Sequence, residues 1–281
     1  VLAYDIVSQS RRLRASGASE LRSTATVEIR PGPLREDGYE QHWIGGKARL
    51  EVEGEQSPEQ RAVLDAANRL FGELPLRVRL DAEGAAQGLE DIEAEFVPRF
   101  RTLLETTFGQ AGGESPQARR MIDGLVRPEV VEAMLLKVPA IFYFPGAGGV
   151  PFDEGIEYAD SAANPFGGEP FPMLGRIAVA RGATEGEIDM TWTITIDPVK
   201  GAPILWEAVA TLVGEDVVAQ ARDELPDQVH IETVTRYRID AATGVIRWME
   251  SVETKRILAN EDVSRTTMTL RAAPAPAEDA P

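Results

Sequence analysis

Apolar and polar residues alternate with a period of two along several stretches of the chain. Ile188, Met190, Trp192, Ile194 and Ile196 stand against Asp189, Thr191, Thr193 and Thr195, which predicts a strand with one buried face. Leu76, Val78 and Leu80 against Arg77 and Arg79 predict another, as do Val27 and Ile29 against Thr26, Glu28 and Arg30. Tyr39, Gln41 and Trp43 oppose Glu40 and His42, and Ala48, Leu50 and Val52 oppose Arg49, Glu51 and Glu53. Between these halves the Gly45–Gly46 pair predicts a bulge or sharp bend, because a missing Cβ lets the strand kink. Three further strands are expected at 228–240, 244–257 and 263–271.

Elsewhere the period lengthens. Ser57, Pro58 and Gln60 make a capped helix start, followed by a stripe of Val63, Leu64, Ala67, Leu70 and Phe71 and a stop at Gly72. Residues 91–144 form a helical middle. Phe96, Phe100, Leu103, Leu104 and Phe108 keep helical spacing, and Ser115–Pro116 and Arg127–Pro128 open two more helices around a connector at 109–114. Ile141 to Phe144 reads as a short strand. Pro203 opens a helix bearing Ile204, Leu205, Ala208, Val209, Leu212 and Val213 and ending near Ala221. Residues 145–175 mix glycine, proline and phenylalanine without a period and read as a loop folded back on an apolar surface.

Two segments share a turn signature. RVRLDAEG at 77–84 and RYRIDAATG at 236–244 place a strand before Asp-Ala and a closing glycine, with TIDPVKG at 195–201 as a looser echo. Asp81, Asp197 and Asp240 are therefore read as turn residues that accept backbone hydrogen bonds, in preference to three equivalent ligands.

Strands gathered at both ends of the sequence with helices between them imply an α+β fold. The expected architecture is a large, curved, half-barrel-like antiparallel β-sheet with helices near 58–72, 91–108, 115–137 and 203–221 on one face. A single domain over 1–271 is expected, with 272–281 a disordered Ala/Pro-rich tail; a split near residue 145 is the alternative.

Composition narrows the chemistry. The 281 residues carry 29 Lys+Arg against 46 Asp+Glu, a formal net charge of −17. That excess argues against nucleic acid, which needs a concentrated basic footprint. The acids are spread over strand faces, turns and helix surfaces and single out no site. The chain has no cysteine, which removes disulfides, thiolate metal sites and a cysteine nucleophile. No run approaches the ~18 apolar residues of a transmembrane helix. No G-x-S-x-G, Walker A, G-x-G-x-x-G or H-E-x-x-H motif occurs, and PGAGG at 145–149 lacks the Lys-Ser/Thr of a phosphate loop. His42 and His230 are the two histidines, each on the polar face of a strand; His230 shares its face with Glu232 and Arg236, as in a surface charge ladder. No catalytic residue, metal or cofactor is assigned.

The aromatic residues carry more. Trp192 and Trp206 fall where the period buries them and read as core. Phe142, Phe144, Phe152, Phe166 and Phe171 are concentrated in one region and are the candidate ligand-binding residues, forming the rim of an apolar site; core anchoring is the competing reading.

Four segments together resemble a known type of protein. LRVRLDAEGAAQGLED, EFVPRFRTLLETTF, NPFGGEPFPMLG and YRIDAATGVIRWMES are similar to segments of exported proteins of Gram-negative bacteria of the domain-of-unknown-function type. The resemblance implies the periplasm or cell envelope and no reaction. The chain begins at Val1, which fits either a cleaved export signal or a trimmed sequence, and an anchor, if there is one, is expected upstream of Val1. A more distant architectural similarity is to half-barrel lipoprotein carriers and lipid-binding proteins of the envelope. The expected function is therefore non-enzymatic: binding of an apolar, amphipathic or lipid-like small molecule between sheet and helices, in a space of at least ~300 Å³. An envelope protein–protein interaction module is the second reading, and a hydrolase of unknown type the third.

Overall fold

Most of the long strands turn back on themselves and pair with their chain neighbours, as Leu2–Arg14 with Gly17–Arg35, Phe171–Arg181 with Glu187–Ile196, Val229–Asp240 with Ile246–Ile257, and Ile246–Ile257 with Asn260–Leu270. In the computed structural model the described residues are 1–14, 17–46, 48–53, 74–110, 116–144, 150–162, 169–201, 203–207, 229–257 and 260–271. They include β1 (Leu2–Arg14), β2 (Gly17–Arg35), β3 (Gly38–Gly45), β4 (Arg49–Glu53), β5 (Leu76–Asp81) and β6 (Ala86–Leu89). The second half adds β7 (Ile156–Ala162), β8 (Phe171–Arg181), β9 (Glu187–Ile196), β10 (Val229–Asp240), β11 (Ile246–Ile257) and β12 (Asn260–Leu270). All belong to one open, curved antiparallel sheet of order β6-β5-β3-β2-β1-β12-β11-β10-β9-β8-β7, with β4 also on β2. The two halves of the chain are stitched together by the β1–β12 ladder, where Tyr4 faces Leu270 and Ser10 faces Ser264.

The glycine pair at 45–46 makes a bulge, as the sequence predicts. Val27 of β2 pairs with Gly45 and Thr24 with Arg49, so three steps on β2 match four on its partner. Gly46 N–H donates to the Thr26 carbonyl at 2.7 Å, and a Cβ at Gly46 would strike Thr26 Oγ1. The Asp-turn reading also holds. Asp81 Oδ1 accepts from Ala85 N, Asp197 Oδ1 from Val199 N and Lys200 N, and Asp240 Oδ1 from Ala242 N and Thr243 N. Gly84 and Gly244 take the left-handed conformations that close two of these turns.

The helical middle is a π-helical turn at Ile92–Phe96 leading into α1 (Val97–Gln110), then α2 (Pro116–Leu125) and α3 (Pro128–Phe142). Two expectations are corrected here. Ile141 and Phe142 belong to α3, not to a strand. Val131, Leu135, Pro139 and Phe142 are buried at spacings of four, four and three, so the apolar run is the end of a helical stripe. Residues 145–175 are not all loop: β7 and the start of β8 lie there. β7 is an edge strand with few apolar residues, and Pro172 and Gly175 interrupt β8, so neither announces itself by period. The helix expected at 58–72 lies outside the described residues, as does most of the one at 203–221; residues 203–207 are helical and bury Leu205.

One face of the sheet meets the helices. Tyr4, Val27, Ile29, Trp43, Val78, Met190, Tyr237, Met249 and Met268 pack in one cluster with Ile92, Phe96, Val131, Leu135 and Phe142. Leu104, Ile122 and Val126 make a small core between α1 and α2, and Phe171, Met173, Ile196 and Leu205 another at the far side of the sheet.

Candidate functional site

Helix α3 lies on the inner face of the sheet and is bolted there at both ends. Near its start, Glu132 Oε1 accepts the Leu89 N–H of edge strand β6 at 2.8 Å. Near its end, Lys137 reaches Glu253 of β11 at 2.9 Å, and the Tyr237 hydroxyl of β10 donates to the Ile141 carbonyl at 2.7 Å. Phe142 sits edge-on to Tyr4 and Trp43, at centroid distances of 5.2 and 5.3 Å. Just past the helix, the Tyr143 hydroxyl accepts from Trp43 Nε1 at 2.9 Å and donates to Gln41 Oε1. Burial pushes the Tyr4, Tyr143 and Tyr237 phenols up, so these groups stay protonated.

Two clefts flank this helix. The first, of about 250 Å³, lies towards β3 and is lined by Ile6, Ala25, Val27, Trp43, Leu76 and, from α3, Met134, Leu135 and Val138. It is apolar. The second, of about 230 Å³, lies towards β11 and β12. Its helix wall is Lys137, Val138 and Ile141, while its floor carries Ser8, Ser10, Ser23, Ser251, Ser264 and Thr266. Val138 lines both clefts. Either cleft alone is below the ~300 Å³ at which small-molecule sites begin.

The difference between the clefts follows from register. On the helix-facing side of β1, Tyr4 and Ile6 give way to Ser8 and Ser10. On β12, Met268 gives way to Thr266 and Ser264, and on β11, Met249 gives way to Ser251 and Glu253. The ladders align these changes. Ser23, Ser8, Thr266, Ser251 and Thr235 fall in one row across β2, β1, β12, β11 and β10, beside the apolar row of Ala25, Ile6, Met268, Met249 and Tyr237. Ser8 Oγ and Thr266 Oγ1 are 3.3 Å apart, and Thr235 Oγ1 donates to Ser251 Oγ at 3.1 Å. The inner face is thus apolar under one side of α3, and under the other carries a row of hydroxyls among apolar side chains such as Leu21 and Met249.

The candidate phenylalanines do not gather into one rim. Phe142 fills the core beneath α3, and Phe144 stacks on Trp192 at 4.1 Å and on Tyr237 at 6.5 Å. Phe152 is 49% exposed beside Val179, whereas Phe171 is buried at the opposite end of β8. Phe166 lies outside the described residues. The cleft residues found here, Ser8, Ser23, Ser251 and Thr266 among them, escaped sequence reasoning because each is an ordinary strand residue until the register aligns them.

His230 is a surface residue 3.8 Å from Glu232. His42 belongs to a different constellation: its Nε2 lies 2.7 Å from Glu40 Oε1, which also accepts from Arg77 Nε at 2.8 Å, while Arg35 reaches Oε2 at 2.7 Å. Hydrogen bonds from Arg77, Arg35 and His42 hold the Glu40 carboxyl down at about 2 against the cost of its burial. The two histidines stand on β3 and β10, five strand spacings or about 24 Å apart, and do not meet.

No family model matches the chain, and no curated protein matches it. Among solved structures the chain is similar to lipovitellin, in a structure describing lipid–protein interactions, with a TM-score of 0.54 at 12% identity. The match covers 99% of this chain and 26% of lipovitellin, so this chain spans about a quarter of that one. The likeness is one of fold: a broad antiparallel sheet with helices. No helix among the described residues is long and apolar enough to cross a membrane.

Proposed function

We propose that this protein binds an apolar or amphipathic, lipid-like molecule between α3 and the inner face of the sheet, that it holds the ligand without transforming it, and that it works in the periplasm or cell envelope. The observation that carries the reading is the pair of clefts along α3, both lined by the half-buried Val138, on a face otherwise packed with large apolar side chains. Joined through a displaced Val138, the two would together reach the range of ligand sites. The fold likeness to lipovitellin supports the same reading, as does the resemblance to exported proteins for the location.

Native mass spectrometry of gently purified protein tests it. A co-purifying adduct of lipid mass is expected. A clean apo mass, together with no quenching or shift of tryptophan emission on adding a long-chain aliphatic probe, overturns the reading.

A second reading, an envelope interaction module, draws on one feature. β7 ends the sheet order, so the strand Ile156–Ala162 presents an open edge among the described residues. Glu157 and Asp160 on that strand suit a partner with basic residues.

A further inference from the structure

Resting on the proposed ligand-binding reading, we infer that the cleft between α3 and strands β1, β2, β11 and β12 is a headgroup pocket selective for an uncharged, hydroxyl-bearing headgroup, with the aliphatic part of the same molecule in the Trp43 cleft. The argument begins with what an inner sheet face requires. Positions that face a helix are ordinarily apolar, since burying a hydroxyl without a partner costs free energy. Here six of the residues lining one cleft are serine or threonine, and they share rows across four adjacent strands. A hydroxyl donates once and accepts twice. The Ser8–Thr266 contact therefore leaves one donor and three lone pairs facing the cleft. That is capacity for a hydrogen-bonding guest.

The charge state of the pocket says which guest. Its charged lining residues are Lys137 and Glu253, and they are paired with each other at 2.9 Å. Glu253 also holds Lys255 at 3.0 Å; burial opposes its ionisation, and the two ammonium groups outweigh that and lower its carboxyl below the usual range. Among the described residues the two charged groups that line the cleft already bond each other, so a charged headgroup would have to compete with that pair, and burying it there is costly. An uncharged alcohol or glycerol ester meets the hydroxyl row without that penalty. Val138 lines both clefts, and Ile6 and Ala25 in the apolar one are two residues from Ser8 and Ser23 on the same faces of their strands. An amphipath lying along β1 and β2 would pass from hydroxyls to apolar side chains within one strand repeat of about 7 Å.

The test uses the full chain and three twelve-carbon probes, monododecanoylglycerol, dodecanoate and dodecylammonium, each titrated by tryptophan emission and calorimetry. The glycerol ester is expected to bind about tenfold more tightly than either ion, a difference that two added hydrogen bonds supply. Thr266→Val, and separately Ser8→Ala with Ser251→Ala, are expected to bring the ester to within about twofold of the ions while leaving aliphatic binding in place. Thr267→Val, on the opposite face of β12, leaves the preference intact. Equal binding of the three probes, or tighter binding of either ion, overturns the headgroup assignment and leaves the ligand-binding reading standing. Binding of none of them overturns both.

Discussion

The Tyr237 hydroxyl on β10 donates to the carbonyl of Ile141 at 2.7 Å, so a strand 96 residues away reaches the last turn of α3, where the same carbonyl also accepts from Phe144 N–H at 3.2 Å. This bond ties the end of the helix to the sheet beside the cleft that Ile141 lines. Tyr237→Phe keeps the ring and its stacking on Phe144 but removes the donor. The carbonyl keeps its Phe144 N–H partner, so the loss is that of one buried hydrogen bond, about 1 kcal/mol. Urea denaturation of the variant should show that loss with an unchanged m-value. A midpoint equal to that of the native protein would mean that the helix end is held by packing alone.

Phe142 and Phe152 look equivalent in the sequence, and the structure separates them. Phe142 is 6% exposed between Tyr4 and Trp43, while Phe152 is 49% exposed. Phe142→Ala should cost about 3–5 kcal/mol, the range for deleting a core aromatic. Phe152→Ala should stay within about 0.5 kcal/mol of the native protein. Comparable losses for the two would contradict this placement.

This contrast shows what could be read from the sequence and what could not. β5 and β9 were legible because one face of each is largely apolar, and period two reports that directly. The three Asp turns were legible because their chemistry is local: Asp240 Oδ1 takes backbone N–H groups two and three residues on. β7 was not, since an edge strand needs little apolar content and borrows its order from β8. Phe142 was misplaced for a related reason. Ile-Phe-Tyr-Phe suits a strand by composition, and only the longer stripe from Val131 shows it to be helical. The serine row is non-local throughout. Ser8 and Thr266 are 258 residues apart, and nothing near either predicts their meeting.

Gly175 is a second non-local feature with a sharp test. It pairs with Tyr158 of β7, whose ring covers it, and a Cβ at 175 would run into that ring. The Tyr158 hydroxyl also accepts from Trp192 Nε1 at 2.7 Å, so displacing the ring breaks a bond to β9. Gly175→Ala should therefore destabilise by about 1–3 kcal/mol, as overpacking does, although alanine suits a strand better than glycine. Pairing it with Tyr158→Ala should relieve most of the overpacking, which a double-mutant cycle in urea would detect. Additive losses would rule out the contact.

Glu40 gives the chain a defined acid sensitivity. Its side chain is fully buried and meets Arg35, Arg77 and His42, and its folded pKa is about 2 against an ordinary 4.5. A carboxyl depressed on folding contributes stability that is complete above its unfolded pKa and is lost as pH falls towards its folded one. The contribution is thus intact at pH 6 and declines between about 4.5 and 2. Glu40→Gln should lower stability at pH 6, because two guanidinium groups lose their counter-charge. The gap between variant and native protein should then narrow as pH falls through that window. Urea midpoints at pH 6, 4 and 3 measure it, and a gap that is constant with pH would remove Glu40 from the account of acid unfolding.

Val138 is the last step between geometry and function. It is half-buried and lines both clefts, so its two methyl groups set whether a guest sees one space or two. Val138→Ala shortens the partition at a cost of about 1 kcal/mol or less, since the site already borders open volume. Twelve-carbon probes should then bind several-fold more tightly, because the ligand no longer has to displace the side chain. Val138→Phe does the reverse. The larger ring fills the gap and should weaken probe binding by tenfold or more, while adding apolar contact that leaves urea stability unchanged or raised. A pure packing role predicts the same stability changes with no effect on binding. Tryptophan emission separates these outcomes, because Trp43 lines the apolar cleft and reports directly on what enters it.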